Sequence, residues 1–95
     1  MVCIFDETKE EELKSLLKEE KIKVLSGMAG LCTIAASGDA DILLNSVVGM
    51  VGLLPTLTAI KAGTDIALAN KETLVAGGSL VMKEAAARGV HIYPV

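Results

Sequence analysis

The sequence predicts an α/β fold with a mainly parallel, doubly wound sheet, and three observations lead to this class. Hydrophobic residues make up 52% of the 95 positions, but there is one Phe, one Tyr and no Trp, so the core must consist of Leu, Ile, Val and Ala. The predicted strands are apolar almost throughout, which is typical of strands buried on both faces of a parallel sheet. A helical segment follows each of the first four strands, as right-handed crossovers require. We expect one domain over residues 1–95.

The first strand and helix are predicted at the start of the chain. Residues 2–5 (VCIF) are short, apolar and rich in β-forming side chains. Asp6 is a good N-cap for a helix that we expect to run to about Glu20. The first turns of this helix are acidic, which the helix dipole favours, and Glu10 is placed to pair with Lys14 four residues later. One face of the helix carries Leu13, Leu16 and Leu17.

A second strand, a short helix and a third strand follow. KVLSG at 23–27 supplies the second strand and a break, and the apolar segment 28–37 is predicted to be helical up to about Gly38. ILLNSVV at 42–48 is the third strand, and it is apolar apart from Asn45 and Ser46.

The third helix is predicted to open at Gly49 and Gly52. Pro55 falls in its first turn, where a missing N–H does least harm, and Gly63 suits its C-terminal cap. One stripe of this helix is apolar and consists of Leu53, Leu57 and Ile60.

The last two strands flank the longest helix. DIALA at 65–69 is the fourth strand, a helix is expected from about Lys71 to Arg88, and VHIYPV at 90–95 is the fifth strand. Gly77 and Gly78 lie inside this helix and cost about 1 kcal/mol each relative to alanine. Close packing of the helix, or close approach to a ligand, would explain why glycine is tolerated there.

Composition disfavours several classes of partner. A net charge of −3 and the lack of an aromatic platform disfavour nucleic acid as a partner. Cys3 and Cys32 form no CxxC motif and the chain has a single His, so we expect two reduced thiols and no metal cage. No apolar run approaches the roughly 18 residues of a membrane-spanning helix, and no signal peptide is recognisable. We expect a soluble, intracellular protein without a membrane partner.

The turn after the fourth strand is the first candidate site. Ligands bind outside the carboxyl ends of the strands in open parallel sheets, and Asn70, Lys71 and Glu72 fall at such an end. Asn70 is a suitable N-cap, and Glu72 could accept hydrogen bonds from hydroxyl or amide groups. Lys71 next to a helix N-terminus is electrostatically unfavourable, which indicates a negative ligand. The alternative is a capped helix with two exposed charges.

The turn after the third strand is the second candidate. Gly49 would let the backbone approach a bound ring or phosphate, but the spacing to Gly52 is GxxG and not the GxGxxG fingerprint. Glycines that serve packing are the alternative. His91 lies in a largely apolar terminal strand, and we assign it no role.

Two stretches at a fixed spacing carry a resemblance to a known family. NSVVGMVGLLPTLTAIKAGTDIALANKETLVAGG, followed by HIYPV, closely resembles 1-deoxy-D-xylulose 5-phosphate reductoisomerase, the NADPH- and divalent-metal-dependent enzyme of the non-mevalonate isoprenoid pathway. The match is strong over about residues 45–95, and the first half is compatible but less specific. The resemblance implies a Rossmann-like three-layer domain, and an isomerisation of the phosphorylated sugar followed by hydride transfer from NADPH.

The resemblance also implies roles for individual residues. Asn70 and Glu72 would contact NADPH, Lys71 would contact the phosphorylated sugar substrate, and the turn at Val48 and Gly49 would lie by the cofactor. The divalent metal, Mg or Mn, would be held by an acidic motif that follows the HIYPV strand in the family. The family further implies a homodimer, in the bacterial cytoplasm or in a plastid.

We therefore expect the chain to be a partial NADPH-binding domain of a longer enzyme, incomplete at the N-terminal phosphate-binding βα unit and inactive alone. One alternative is a stand-alone α/β module that binds a nucleotide or phosphate without catalysis. Another is an assembly piece that associates with itself through an exposed sheet edge.

Overall fold

A computed structural model describes residues 1–47, 49–69 and 71–95, with the backbone alone at positions 49, 50, 71, 73, 74 and 76. Strands and helices alternate along this part of the chain, as the sequence predicts. In chain order they are β1 (Val2–Ile4), a 3-10 turn (Glu7–Lys9), α1 (Glu10–Leu16), β2 (Val24–Ser26), α2 (Gly27–Ala35), β3 (Ile42–Asn45), a second 3-10 turn (Gly49–Gly52), α3 (Leu53–Lys61), β4 (Asp65–Leu68), α4 (Lys71–Arg88) and β5 (Ile92–Pro94).

The strands pair in parallel in two small sheets, where the sequence analysis expected a single sheet. β1 pairs with β2, and β3, β4 and β5 form a three-stranded sheet in that order. The chain divides accordingly into two compact units, Met1–Ile34 and Ala35–Val95. The predicted α/β class with parallel strands is confirmed, whereas one domain over residues 1–95 stays a prediction.

In the first unit, the predicted cap is present but the helix is shorter than expected. Asp6 caps the first 3-10 turn by accepting a hydrogen bond from the Thr8 backbone N–H. The helix ends at Leu16 and not near Glu20. Residues 18–21 are all charged and offer no apolar face to bury, and packing supplies most helical stability in proteins.

Glu10 joins α1 to β2. Its carboxylate lies 3.7 Å from the Lys14 ammonium, which confirms the predicted pair, and it accepts a hydrogen bond of 3.0 Å from the Ser26 hydroxyl. The bond to Ser26 crosses from the helix to the end of the strand. It therefore fixes the register between two elements that are distant in sequence.

The second unit contains the hydrophobic core. β4 is its central strand, and Ile66 and Leu68 are buried. β3 is an outer strand, and its Ile42 and Leu44 are 51% and 63% exposed, so the expected burial on both faces is wrong for this strand. The buried apolar residues are Ala35, Ala59, Ile60, Ile66, Leu68, Val81, Ala85 and Val90.

The proline and the glycines of helices α3 and α4 lie where the sequence predicts them. Pro55 lies in the first turn of α3, and Gly63 follows the helix with a φ of +81°. Within α4, Gly77 has a non-helical backbone, and the side chain of Leu53 lies 2.7 Å from where a Cβ would stand. Close packing therefore explains Gly77, whereas the space beside Gly78 is open within 4 Å.

Candidate functional site

The carboxyl ends of β3 and β4 lie side by side at one edge of the three-stranded sheet. Asn45 is opposite Leu68 in the parallel register, and the Ala69 N–H donates a hydrogen bond of 2.9 Å to the Asn45 carbonyl oxygen. The end of β5 is tied to the same edge, since the Val95 N–H donates to the Leu68 carbonyl at 3.1 Å. The two turns singled out in the sequence therefore leave the sheet from adjacent positions, where parallel sheets bind ligands.

The predicted site residues are described to different extents. Val48 and Asn70 lie outside the described residues, so their predicted roles stay predictions. Gly49 opens the second 3-10 turn and Lys71 opens α4, each described by its backbone. Glu72 is exposed in the first turn of α4, where the helix dipole favours a carboxylate.

A buried amide that the sequence analysis did not select lies between these two turns. Asn45 is 4% exposed at the end of β3. Its Nδ2 donates to the Gly52 carbonyl at 3.1 Å and to the Thr56 hydroxyl at 2.5 Å, and its Oδ1 accepts from the Val47 N–H at 3.1 Å. The signal in the sequence was an amide inside the predicted strand 42–48, which is otherwise apolar apart from Ser46.

Gly52 is required by this amide. A Cβ at position 52 would stand 2.7 Å from the Asn45 Nδ2 and 2.9 Å from its Oδ1. Since real Cβ atoms do not come this close, the side chain of Asn45 occupies the volume that any larger residue at 52 would need. Packing is therefore the reason for Gly52. This agrees with the alternative given for the GxxG turn, in which its glycines serve packing.

At the opposite, amino end of the sheet, hydrogen bonds join the start of β4 to His91, the residue before β5. The His91 N–H donates to the Asp65 carboxylate at 2.9 Å, and the His91 carbonyl accepts from the Ile66 N–H at 2.9 Å. The His91 ring lies near that of Tyr93, with centroids 6.1 Å apart. These backbone contacts give His91 a structural part in the strand.

Two ionisable groups of the first unit have shifted pKa values. Burial raises the pKa of the Cys3 thiol, and the nearby Glu10 carboxylate raises it further. Hydrogen bonds from the Thr8 hydroxyl and then from its backbone N–H lower the pKa of Asp6. A thiol with a raised pKa is a poor nucleophile near neutral pH.

Two further searches cover the described part of the chain. No group of three or more His, Cys, Asp or Glu side chains there could hold a metal ion. Over the same residues, no helix is both long enough and apolar enough to cross a membrane.

Comparison with known proteins gives one consistent family. A family model described as 1-deoxy-D-xylulose 5-phosphate reductoisomerase matches residues 1–78, which includes the half of the chain where the resemblance was less specific. A protein of that name from Chloroherpeton thalassium is 48% identical over 94 residues, 99% of this chain and 24% of the relative. Another from Exiguobacterium sibiricum is 52% identical over 95 residues, 100% of this chain and 24% of the relative. The chain thus spans about a quarter of the length of these relatives.

Solved structures agree with the sequence relatives. The reductoisomerase from Zymomonas mobilis in complex with NADPH superposes with a TM-score of 0.92 at 34% identity, over 98% of this chain and 24% of that one. A reductoisomerase in complex with NADPH, fosmidomycin and magnesium superposes with a TM-score of 0.89 at 37% identity, over 97% and 23%. This similarity identifies the fold as Rossmann-like.

Proposed function

This chain belongs to the 1-deoxy-D-xylulose 5-phosphate reductoisomerase family, and we propose that it forms part of the NADPH-binding domain of such an enzyme. The full-length protein would isomerise 1-deoxy-D-xylulose 5-phosphate and reduce the product with NADPH to 2-C-methyl-D-erythritol 4-phosphate. Solved relatives bind NADPH and magnesium, which supports the same cofactors here. Because the relatives from Chloroherpeton thalassium and Exiguobacterium sibiricum are bacterial, we propose the bacterial cytoplasm as its location.

One observation carries this proposal: the paired ends of β3 and β4, joined by the hydrogen bond from Ala69 to Asn45. The turn at 46–52 and the start of α4 leave the sheet from that pair. The first turn of a helix presents free N–H groups and the positive end of its dipole, which attract phosphate and other anions. An edge that combines such a helix start with a glycine turn suits a phosphorylated nucleotide next to a phosphorylated sugar.

We assign the individual roles accordingly. Asn70 and Glu72 contact NADPH, Val48 and Gly49 line the cofactor from the neighbouring turn, and Lys71 contacts the phosphorylated sugar. A lysine at the start of a helix is unfavourable by itself, and an anionic substrate offsets that cost. The position of Lys71 as the first residue of α4 supports this role.

For the divalent metal, Mg or Mn, we propose ligands supplied by residues beyond this chain. The metal would act as a Lewis acid on the oxygens of the substrate. The relatives are about four times longer than these 95 residues, which leaves ample chain for such ligands. We therefore propose that residues 1–95 alone turn over no substrate.

We also propose that the full-length enzyme is a homodimer. For the 95-residue chain alone, we propose self-association through β3, because β3 is an outer strand of its sheet and carries exposed Ile42 and Leu44. Outer strands with apolar side chains are prone to pair with strands of another copy.

The proposed function is tested by following NADPH oxidation by the full-length protein with the sugar phosphate and Mg²⁺ or Mn²⁺. We expect oxidation that depends on both substrate and metal, and none above the buffer control with residues 1–95 alone. Lys71→Ala should lower kcat/KM for the sugar by about a hundredfold, since a charge-assisted bond to phosphate is lost, and leave the Tm unchanged.

Lys83→Ala is the matched control, because Lys83 is an exposed lysine of the same helix. It should leave kcat/KM near the wild-type value. A full-length protein that binds NADPH but never oxidises it with this substrate would refute the activity. A Lys71→Ala variant whose Tm collapses while the surviving fraction has normal kinetics would show that Lys71 is structural.

A further inference from the structure

We propose that Asn45 is a positioning residue, which holds the turn at 46–52 in the shape that receives the cofactor. The inference rests on the proposed function, and it assigns a role to a residue that does not itself contact NADPH. It is carried by the hydrogen bonds of one buried side chain.

The Asn45 side chain ties both ends of the turn to the sheet. It accepts a hydrogen bond from the N–H of Val47 at the entry to the turn and donates one to the carbonyl of Gly52 at the exit. A third bond, to the hydroxyl of buried Thr56, reaches the first turns of α3. The side chain therefore holds the chain where it enters the turn at Val47 and where it leaves it at Gly52, and it ties both to the helix that follows.

The arrangement of donors and acceptors specifies an amide. The Val47 N–H can only donate a hydrogen bond and the Gly52 carbonyl can only accept one. The side chain at 45 must therefore carry one acceptor group and one donor group. A carboxylate of the same size lacks the donor, and an aliphatic side chain lacks both groups. Both polar atoms of this buried side chain are hydrogen-bonded, so burying it leaves no polar atom without a partner and avoids the free-energy cost of one.

The size of the side chain is fixed as well. The amide fits against Gly52 without room for a Cβ there, so the backbone of the turn comes as close to the strand end as glycine permits. This close approach keeps the end of the 3-10 turn Gly49–Gly52 against the end of β3, at the edge where the cofactor is proposed to bind. The pair Asn45 and Gly52 therefore works as a unit.

The backbone of Asn45 serves the second turn independently. Its carbonyl accepts the N–H of Ala69, which immediately precedes the proposed site at 70–72. Replacing the side chain leaves this bond in place, so the β3–β4 register and the start of α4 should persist. The effect of such a change should fall on the cofactor and not on the sugar phosphate.

Four variants of the full-length enzyme test this inference. Asn45→Asp keeps the size of the side chain and removes its donor. Thr56→Val removes one of the three partners and keeps the volume. Gly52→Ala crowds the amide. Thr58→Val is the matched control, because the Thr58 hydroxyl bonds to the Leu54 carbonyl in the same helix and is not a partner of Asn45.

The readouts are the Kd of NADPH from a fluorescence titration, the KM values of both substrates, kcat, and the Tm. A misplaced binding turn should raise the NADPH Kd about tenfold for Asn45→Asp and Gly52→Ala, and about threefold for Thr56→Val. The KM of the sugar and kcat should stay within about twofold of wild type, and Thr58→Val should change none of these values.

Each outcome decides a different point. A lowered Tm with an unchanged NADPH Kd in Asn45→Asp and Thr56→Val would make Asn45 a stabilising residue only and overturn the inference. If Asn45→Asp does not fold, Thr56→Val, which keeps two of the three bonds, carries the test together with Gly52→Ala. A wild-type enzyme that binds no NADPH would refute the proposed function, whereas equal binding by wild type and variants would refute this inference and leave that function standing.

Discussion

The Asp6 carboxylate accepts two hydrogen bonds from Thr8, one from the hydroxyl at 2.6 Å and one from the backbone N–H at 3.0 Å. Both favour the charged form, so the pKa of Asp6 lies below its ordinary value of 3.8. Because the folded pKa is lower than the unfolded one, the stability that Asp6 contributes is present above about pH 3.8 and is lost as the pH falls through the folded pKa.

We predict that Thr8→Val raises the pKa of Asp6 toward its ordinary value, because the bond from the Thr8 hydroxyl is the larger cause of the shift. A carbon-detected NMR titration of the Asp6 carboxyl group measures this directly. Thr33→Val is the control, since the Thr33 hydroxyl bonds only to the Ala29 carbonyl among the hydrogen bonds described. An unchanged Asp6 titration in Thr8→Val would contradict the prediction.

Single residues could be predicted from the sequence where their partners are local. The Asp6 cap and the Glu10–Lys14 pair involve neighbours two and four residues away, and both are present. Asn45 was missed as a functional residue because its partners Gly52 and Thr56 are seven and eleven residues further on. Such contacts depend on how the turn folds back on the strand, which the periodicity of the sequence does not encode.

At the scale of the elements, alanine substitutions at Gly77 and Gly78 distinguish the effect of packing on stability from that of helix propensity. Gly78→Ala should raise the free energy of unfolding by up to about 1 kcal/mol, because alanine favours the helix and the space beside Gly78 is open. Gly77→Ala should lower it by about 1 kcal/mol, because the added Cβ would press on the side chain of Leu53 at a non-helical point of α4.

Urea unfolding of the two full-length variants measures the difference, and each variant is the control for the other. They are adjacent, and they make the same chemical change in the same helix. Equal shifts of the unfolding midpoint in the two variants would show that the Leu53 contact has no energetic weight.

The order of the elements was predictable, but some of their ends were not. α4 begins and ends at the predicted residues, Lys71 and Arg88. β3 ends at Asn45 and not at residue 48. The Asn45 Oδ1 accepts the hydrogen bond of the Val47 N–H, so this N–H is not used for pairing with a neighbouring strand. A local hydrogen bond by a polar side chain thus competes with continued strand pairing.

At the scale of the whole molecule, the parallel α/β class followed from the alternation of strands and helices. The division of five strands into β1–β2 and β3–β4–β5 did not follow, because pairing between strands far apart in the sequence leaves no local signal. The position of the proposed site could nevertheless be predicted from the sequence. Strand ends and the turns that follow them can be read from sequence, and parallel pairing brings those ends to one edge.

The same topology leads to a prediction for the 95-residue chain alone. β3 is an outer strand, and Leu44 on it is 63% exposed, so copies of the chain should associate through this strand. Sedimentation equilibrium should therefore show dimers or larger species as the concentration rises. Leu44→Lys should shift the distribution toward monomer, since a charge on an outer strand opposes pairing with another copy.

Leu80→Lys is the matched control, because Leu80 is also an exposed leucine, 49% accessible, but lies on helix α4. It changes the charge and the hydrophobicity of the chain to the same extent as Leu44→Lys. If both variants dissociate equally, general surface hydrophobicity drives the association and β3 has no special part. A wild-type chain that stays monomeric at the highest concentration reached would refute self-association through β3. The exposed apolar side chains of this outer strand would then be too few to bind a strand of another copy.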